Sequence, residues 1–497
     1  MQAQTQLKID HYSEPREKLE EIIGWLQSAE GPRTHADVER GIRERSWELL
    51  RATEQSFLDA RFDRERMQAE TVPVDPGVTV RVRERFIEGE FGRVTHRRLG
   101  YARAGQQAEF PADRDLNLPK EMFTLEVRQR AAFEAQRGPW EEVVKSIDRN
   151  SGAHVAQRQA QQLAARAAQD FDAFYEFTDS PVNDTLSTRA LEVASCDSKG
   201  VTMLDQGLRD ETRKAADNAK ASASKGDPMA PKKLRKHDKR MAIVTANWEQ
   251  ERQPRTAEQI MANLDRSPGH KKSKGPRPQN KRVRASVEKT QAEGIREMFD
   301  EIERRDPCAE RTTVVLVDGE ERQIAEINRQ AKERGRSLRL ILDLIHVIHY
   351  LWIAGFVLCG KDAKQTEGWV REFLERLLTG PASFVASAIR RQATMMSLTE
   401  EQREPIDTCC DYLLKNQAYL RYYEYLAEGF PIATGLIEGA CRHLVQDRMG
   451  ITGARWDVPG AESVLKLRSL RCSGDWDDFW RFHEQQEFTR NYGEVAA

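Results

Sequence analysis

From residue 13 to 68 apolar residues recur at helical spacing among many charges, beginning with Leu19, Ile22, Ile23 and Leu26. This period predicts a helical lead-in over 1–70. After Val72-Pro73-Val74-Asp75-Pro76-Gly77 the period shortens to two, and VTVRVRERFIEGEFGRVTHRRLGYAR (78–103) alternates apolar with basic residues around Gly89 and Gly92. The alternation predicts a small β unit over 71–118, a hairpin with one strongly basic face. Helical spacing returns over 119–185. Two helical patterns there, near 139–149 and 154–177, flank the break Asn150-Ser151-Gly152. That is the helix-turn-helix layout, in which the second helix would present His154, Arg158 and Gln159 to a DNA groove, although an αα-hairpin in a bundle has the same pattern.

Strand patterns dominate 186–351. LEVASCDSKGV (191–201) reads as an apolar strand ending on Asp197, and MAIVTANW (241–248) as another strand. A basic loop over 249–284 carries eight basic and no acidic residues between Arg266 and Arg284, Lys271, Lys272 and Lys274 among them. Its Gly and Pro content disfavours regular structure, which leaves a solvated insertion or a phosphate-binding arm. A helix over 286–304, a strand over 311–317, a helix over 321–335 and a strand over 338–343 then alternate, the order of βαβ units in a mostly parallel sheet. Residues 352–430 read as helix throughout, with aromatics that suit packing.

The run TVVLVDGE (313–320) stops abruptly at Asp318-Gly319. Asp-Gly is ordinary turn chemistry. With Asp197 closing a second strand of the same sheet, however, two carboxylates stand where ligands of open α/β sheets gather. Side by side they repel each other unless a cation lies between them, and Mg²⁺ suits such a site, using few carboxylates and keeping positions for water and phosphate oxygens. Glu438, in the helical pattern IATGLIEGACRHLVQDRM, is the candidate third acid of a two-ion clamp for in-line phosphoryl displacement.

A chain of 497 residues holds about three domains. Charged residues make up 32% of it yet the net charge is −2, which confines any affinity for nucleic acid to local patches. The stretch MQAQTQLKIDHYSEPREKLEE has no apolar leader pattern, so a cytoplasmic location is expected. LRLILDLIHVIHYLWIAGFVLCG (338–360) is long enough to span a bilayer, but Asp343, His346 and His349 interrupt it and no membrane span is expected. The 7 cysteines include no C-x-x-C pair, which points to reduced thiols, with Cys409-Cys410 buried as small hydrophobes.

The segments ASCDSKGV (194–201), KRMAIV (239–244), TTVVLVDG (312–319), LDLIHVIHYLW (342–352), ATGLIEGACRHLVQDRMGITGARWDVPGAESVLKLRSLR (433–471) and GDWDDFWRFH (474–483) resemble DDE transposases of the bacterial insertion-sequence group called the Kra family. The resemblance runs from about residue 85 onward and also takes in LNLPKEMFTLEVRQRAAFEA and GPWEEVVKSIDRNSGAHVAQRQ. It implies an α/β fold: an RNase H-like mixed-sheet core over 186–351 and 431–497, with 352–430 as a large all-helical insertion and the N-terminal helical and β modules as a DNA-binding region. It further implies that Asp197, Asp318 and Glu438 hold Mg²⁺, or Mn²⁺ in its place. Asp343 and His346 match an acid-x-x-His motif, with an implied role in positioning the scissile strand or a flipped base. Lys199, Arg442, His443, Arg448 and Arg455 lie near these segments as candidates for phosphate neutralisation, and Trp456 as a brace for a displaced base.

The implied activity is metal-dependent cleavage and strand transfer on double-stranded DNA, at the element's terminal repeats and at target DNA, by a dimer or larger assembly. No nucleophilic Tyr or Ser is required. Two departures stand out. Ser198 replaces the first Gly of the family's Asp-Gly-Lys-Gly motif, and GYARAGQQAEFP (100–111) lacks cysteine, so no zinc is expected there. Two other readings stay open: a nuclease without strand transfer, and a catalytically silent DNA-binding protein derived from a transposase.

Overall fold

Alternating residues need one wet and one dry face. In the computed structural model, 78–103 folds as the antiparallel hairpin β1 (Val78–Gly89) and β2 (Gly92–Arg103), with Gly89 opposite Gly92. The structure describes residues 10–29, 31–71, 73, 75–178, 190–223, 238–264, 275–360, 363–433 and 435–493. They form two compact units, 1–176 with 476–497, and 177–475.

In the first unit the long helix His35–Thr71 lies along the hairpin, with Leu58 packed on Ile87 and Val94. Several arginines of the hairpin are ion-paired, while Arg81 and Arg83 are exposed. Arg97 meets Asp59 at 2.8 Å, Arg98 meets Asp113 at 2.9 Å, Arg93 meets Glu88 at 3.0 Å and Arg103 meets Asp75 at 2.7 Å. Helices Leu125–Ala135, Trp140–Asn150 and Gln157–Ala167 close on a core of Val127, Val143, Ile147, Val155 and Leu163.

The break between the last two of these helices is longer than the sequence predicts. It runs from 151 to 156, so His154 sits on the connector rather than on the second helix, which itself ends at Ala167. The connector is pinned to the hairpin turn: the Gly152 N–H donates to the Glu90 carbonyl at 2.8 Å, and a Cβ on Gly152 would meet the Phe91 backbone at 2.4 Å. Helix Trp476–Tyr492, from the acidic and aromatic tail, belongs to this unit. Its His483 is buried between Arg128 at 3.0 Å and Asp170 at 2.7 Å.

The second unit holds β3 (Leu191–Thr202), β4 (Lys239–Gln250), β5 (Gln279–Ser286), β6 (Thr312–Val317) and β7 (Leu338–Leu342), in the spatial order β5-β4-β3-β6-β7. The sheet is mixed rather than mostly parallel, because β3, β4 and β5 pair antiparallel while β3, β6 and β7 run parallel. Three further expectations are corrected. Asp197 lies within β3, not at its end, since pairing with β4 carries the strand on to Thr202. Residues 279–286 are a strand rather than loop and helix start, and the helix begins at Gln291, where Thr290 and Glu293 form a capping box. Arg282 of the basic stretch is buried and pairs with Glu301 at 3.0 Å. Lys271, Lys272 and Lys274 lie outside the described residues. Helices from Leu344 to Ala427 follow as expected, and among the described residues no helix is long and apolar enough to cross a membrane.

Beneath the sheet a buried cluster joins Glu192, Glu249, Glu301, Arg282 and Arg305. Glu301 is buried, but Arg305 at 2.7 Å and Arg282 hold it below the usual carboxylate range. Glu192 lies 3.9 Å from Arg305, neither of its oxygens is hydrogen-bonded, and burial pushes its carboxyl up to about 8. The folded chain therefore keeps a proton that the unfolded chain releases. The stabilisation is complete below the ordinary pKa of 4.5 and is lost as pH rises toward 8. Urea unfolding should show wild-type stability falling across that window by up to about 1.4 kcal/mol per pH unit from this group, a slope that Glu192→Gln removes.

Candidate active site

The hydrogen-bond register of the parallel strands sets the site. β3 and β6 pair with Ser195 opposite Leu316, an offset of 121 residues, the same offset that separates Asp197 from Asp318. β6 and β7 pair with Val317 opposite Leu342, an offset of 25, the same that separates Asp318 from Asp343. Continued along the chain, these offsets bring Asp197 in β3, Asp318 just after β6 and Asp343 just after β7 into line at one end of three adjacent strands. Residues in line on neighbouring strands share a face, so the three carboxylates form a row. The Asp343 N–H donates to the Val317 carbonyl at 2.8 Å and closes the ladder at the Val317–Leu342 pair, one residue short of the acids.

Backbone donors fix each acid. Asp197 Oδ1 accepts from the Ser198 N–H at 2.6 Å, Asp318 Oδ1 from the Glu320 N–H at 2.9 Å, and Asp343 Oδ1 from the Ile345 N–H at 2.8 Å, capping helix Leu344–Cys359. Ser198 is no impediment: it continues β3 and is not among the positive-φ residues. Gly319, by contrast, has φ +96° and stands where a Cβ would meet Tyr412 at 2.9 Å.

Glu438 comes from helix Gly435–Ala440, which runs directly into a π-helical turn, Cys441–Gln446. Glu438 and Cys441, three apart, share a face. The Cys441 thiol donates to Asp197 Oδ2 at 3.3 Å, and burial, then the Asp197 charge, push that thiol up, so it remains protonated. Potential ligand atoms of Asp343, His346 and Glu438 lie within 4.8 Å of one another. Burial raises the Asp318 carboxyl, with the Asp197 charge adding to it against the opposing Glu320 N–H and His346. Burial likewise raises Glu438, followed by the charge of Asp343, with Asp197 adding to it and His346 opposing.

The sequence reading missed the residues that brace this row. Tyr412, on helix Glu400–Lys415, donates its hydroxyl to the Asp318 carbonyl at 2.6 Å and stacks on Tyr350 at 3.9 Å. Tyr422, fully buried, donates to the Leu342 carbonyl at 2.8 Å. Both come from the segment read as packing aromatics, and the hydroxyls that distinguish them from Phe were the available signal. Gln323 donates to the Cys196 carbonyl at 3.1 Å.

The residues assigned to DNA separate into two groups. Lys199 lies two residues from Asp197 along β3, half-buried on the same face. Arg455 is exposed, and Arg442 and His443 are exposed beside Asp447, His443 at 2.8 Å from it. Arg448 and Trp456 are corrected. Both are buried, the guanidinium 4.6 Å over the indole, so neither offers a surface to phosphate or base. In the first unit His154 is exposed beside Asp148 at 3.1 Å, and Arg158 is exposed in the first turn of its helix.

No family model matches the chain, and no curated protein does. Among solved structures it aligns with a chain of the Drosophila P element transposase strand transfer complex, at 11% identity over 79% of this chain and 83% of that one. The TM-score is 0.24.

Removing the hydroxyl that meets the Leu342 carbonyl leaves a buried acceptor short of a donor. Tyr422→Phe should lower stability by about 1–3 kcal/mol in denaturant unfolding, with the helical content unchanged by circular dichroism.

Proposed function

We propose that this chain is a DDE-class transposase with an RNase H-like core, which cleaves DNA at the ends of a mobile element and joins them to target DNA. The observation that carries the reading is the row of Asp197, Asp318 and Asp343 with Glu438 beside it. The sheet order, three antiparallel strands continued by two parallel ones, supports the RNase H-like assignment. The motif resemblance supports the reaction.

The donor set fits Mg²⁺. Asp197, Asp318 and Glu438 offer hard oxygen ligands, and the upward push on Asp318 and Glu438 from burial and like charge is what a divalent cation relieves. Bound ions would supply Lewis acidity at the scissile phosphate and a water of lowered pKa. The protein's own contribution is positioning. Backbone N–H groups orient each aspartate, and the neutral Cys441 thiol steadies Asp197 without competing for positive charge. Lys199 neutralises phosphate next to the row, while Arg442, His443 and Arg455 hold the DNA backbone nearby. His154, Arg158, Lys271, Lys272 and Lys274 contribute further phosphate contacts, and two copies of the chain pair the two element ends in the cytoplasm.

The test is cleavage and joining of labelled DNA that carries the element's own flanking repeats, with Mg²⁺. Wild type should give joined product, and Asp318→Asn should reduce both steps on the order of 10³-fold. Cleavage without joining would make the protein a nuclease. Tight binding without cleavage in Mg²⁺ or Mn²⁺ would make it a DNA-binding protein on a silent catalytic fold.

A further inference from the structure

Asp343 comes just after β7, at the same strand end as Asp197 and Asp318, yet the three-acid reading leaves it without an ion. Its surroundings are built for one. Asp343 begins helix Leu344–Cys359, and His346, three residues on, lies on the same side of the first turn. Glu438 approaches from helix Gly435–Ala440. The ligand atoms of the three residues lie within 4.8 Å of one another. Metal–ligand bonds of about 2.0–2.2 Å put opposite donors on one ion about 4.2 Å apart, so a small closure completes the set.

Hydrogen bonds hold the main chain under these residues. Tyr422 holds the Leu342 carbonyl, the Asp343 N–H is tied to Val317, and Asp343 Oδ1 takes the Ile345 N–H. His346 and Glu438 are only half-buried, which leaves the site open to solvent ions.

The chemistry of the donors differs from that of the aspartate pair. Carboxylates alone suit Mg²⁺, whereas an imidazole nitrogen shifts preference toward first-row transition ions. We propose that Asp343, His346 and Glu438 form a nitrogen-containing site for a divalent transition ion, Mn²⁺ in preference to Mg²⁺, beside the Asp197–Asp318 pair. The inference rests on the reading of the acid row as an ion site, and it makes His346 a ligand rather than a group that handles DNA.

The experiment uses the full chain without DNA. Mn²⁺ is titrated and followed by electron paramagnetic resonance, with Mg²⁺ as competitor, for wild type, His346→Ala, His346→Asn, Asp343→Asn and Asp197→Asn. Thermal unfolding without metal identifies any variant that fails to fold, and His346→Asn replaces the alanine variant in that event. Wild-type Mn²⁺ should show magnetic coupling to an imidazole nitrogen. Loss of His346 should abolish that coupling and weaken Mn²⁺ about 10–100-fold, with Mg²⁺ affinity little changed. Absence of nitrogen coupling in wild type overturns the proposal, as does Mn²⁺ binding that survives loss of His346 and of Asp343 but not of Asp197. Catalysis is read separately. Imidazole-bound Mn²⁺ in a protein that neither cuts nor joins DNA keeps this site and removes the transposase reading, whereas joining activity without nitrogen coupling does the reverse.

Discussion

The parallel ladder linking β3, β6 and β7 is the constraint on which the candidate site depends. Two offsets, 121 and 25 residues, bring three aspartates from distant parts of the chain to the same end of the ladder. A slip of one residue in either pairing would turn a carboxylate to the opposite face of the sheet. Register in such a strand is set by its apolar neighbours, and Val314, Val315, Leu316 and Val317 are all buried. Hydrophobic cover on both faces thus fixes where the charges meet. The same cover raises Asp318, because the packing that aligns the acid also removes water from it.

A second layer of control comes from the helices over 344–427. Their tyrosines reach the strand ends from outside the sheet, Tyr412 to the Asp318 carbonyl and Tyr422 to the Leu342 carbonyl. These are contacts to main chain, not to the carboxylates themselves. They fix where each acid is carried and leave its oxygens to other partners. The helical segment is therefore part of the frame of the site.

Much of the acid cluster was legible in the sequence, because an apolar run that stops on Asp is a local pattern. Asp318 follows its strand as expected, Asp343 caps the next helix rather than ending the strand, and Asp197 lies inside β3, because antiparallel pairing with β4 outlasts parallel pairing with β6. That Asp343 lines up with the other two could not be read, since register depends on which strands are neighbours. β5 was hidden by its arginines. Arg282 looks like a solvated loop residue until Glu301, on the helix after the strand, supplies its buried partner. In the hairpin, too, the partners of Arg97 and Arg98, Asp59 and Asp113, are brought alongside only by folding. Arg448 and Trp456 were read as DNA contacts from proximity along the chain, which carries no information about which way a side chain faces.

The two offsets count residues that have no duty to be that many. What is fixed is the parity within each strand, from its first paired rung to its aspartate. The long excursions between strands can lengthen or shorten without moving any carboxylate, provided the strands re-enter the same ladder. Relatives of this chain should therefore vary freely in the length of the β3-to-β4 and β4-to-β5 connections. The few residues between the last paired rung and each acid should admit no insertion at all.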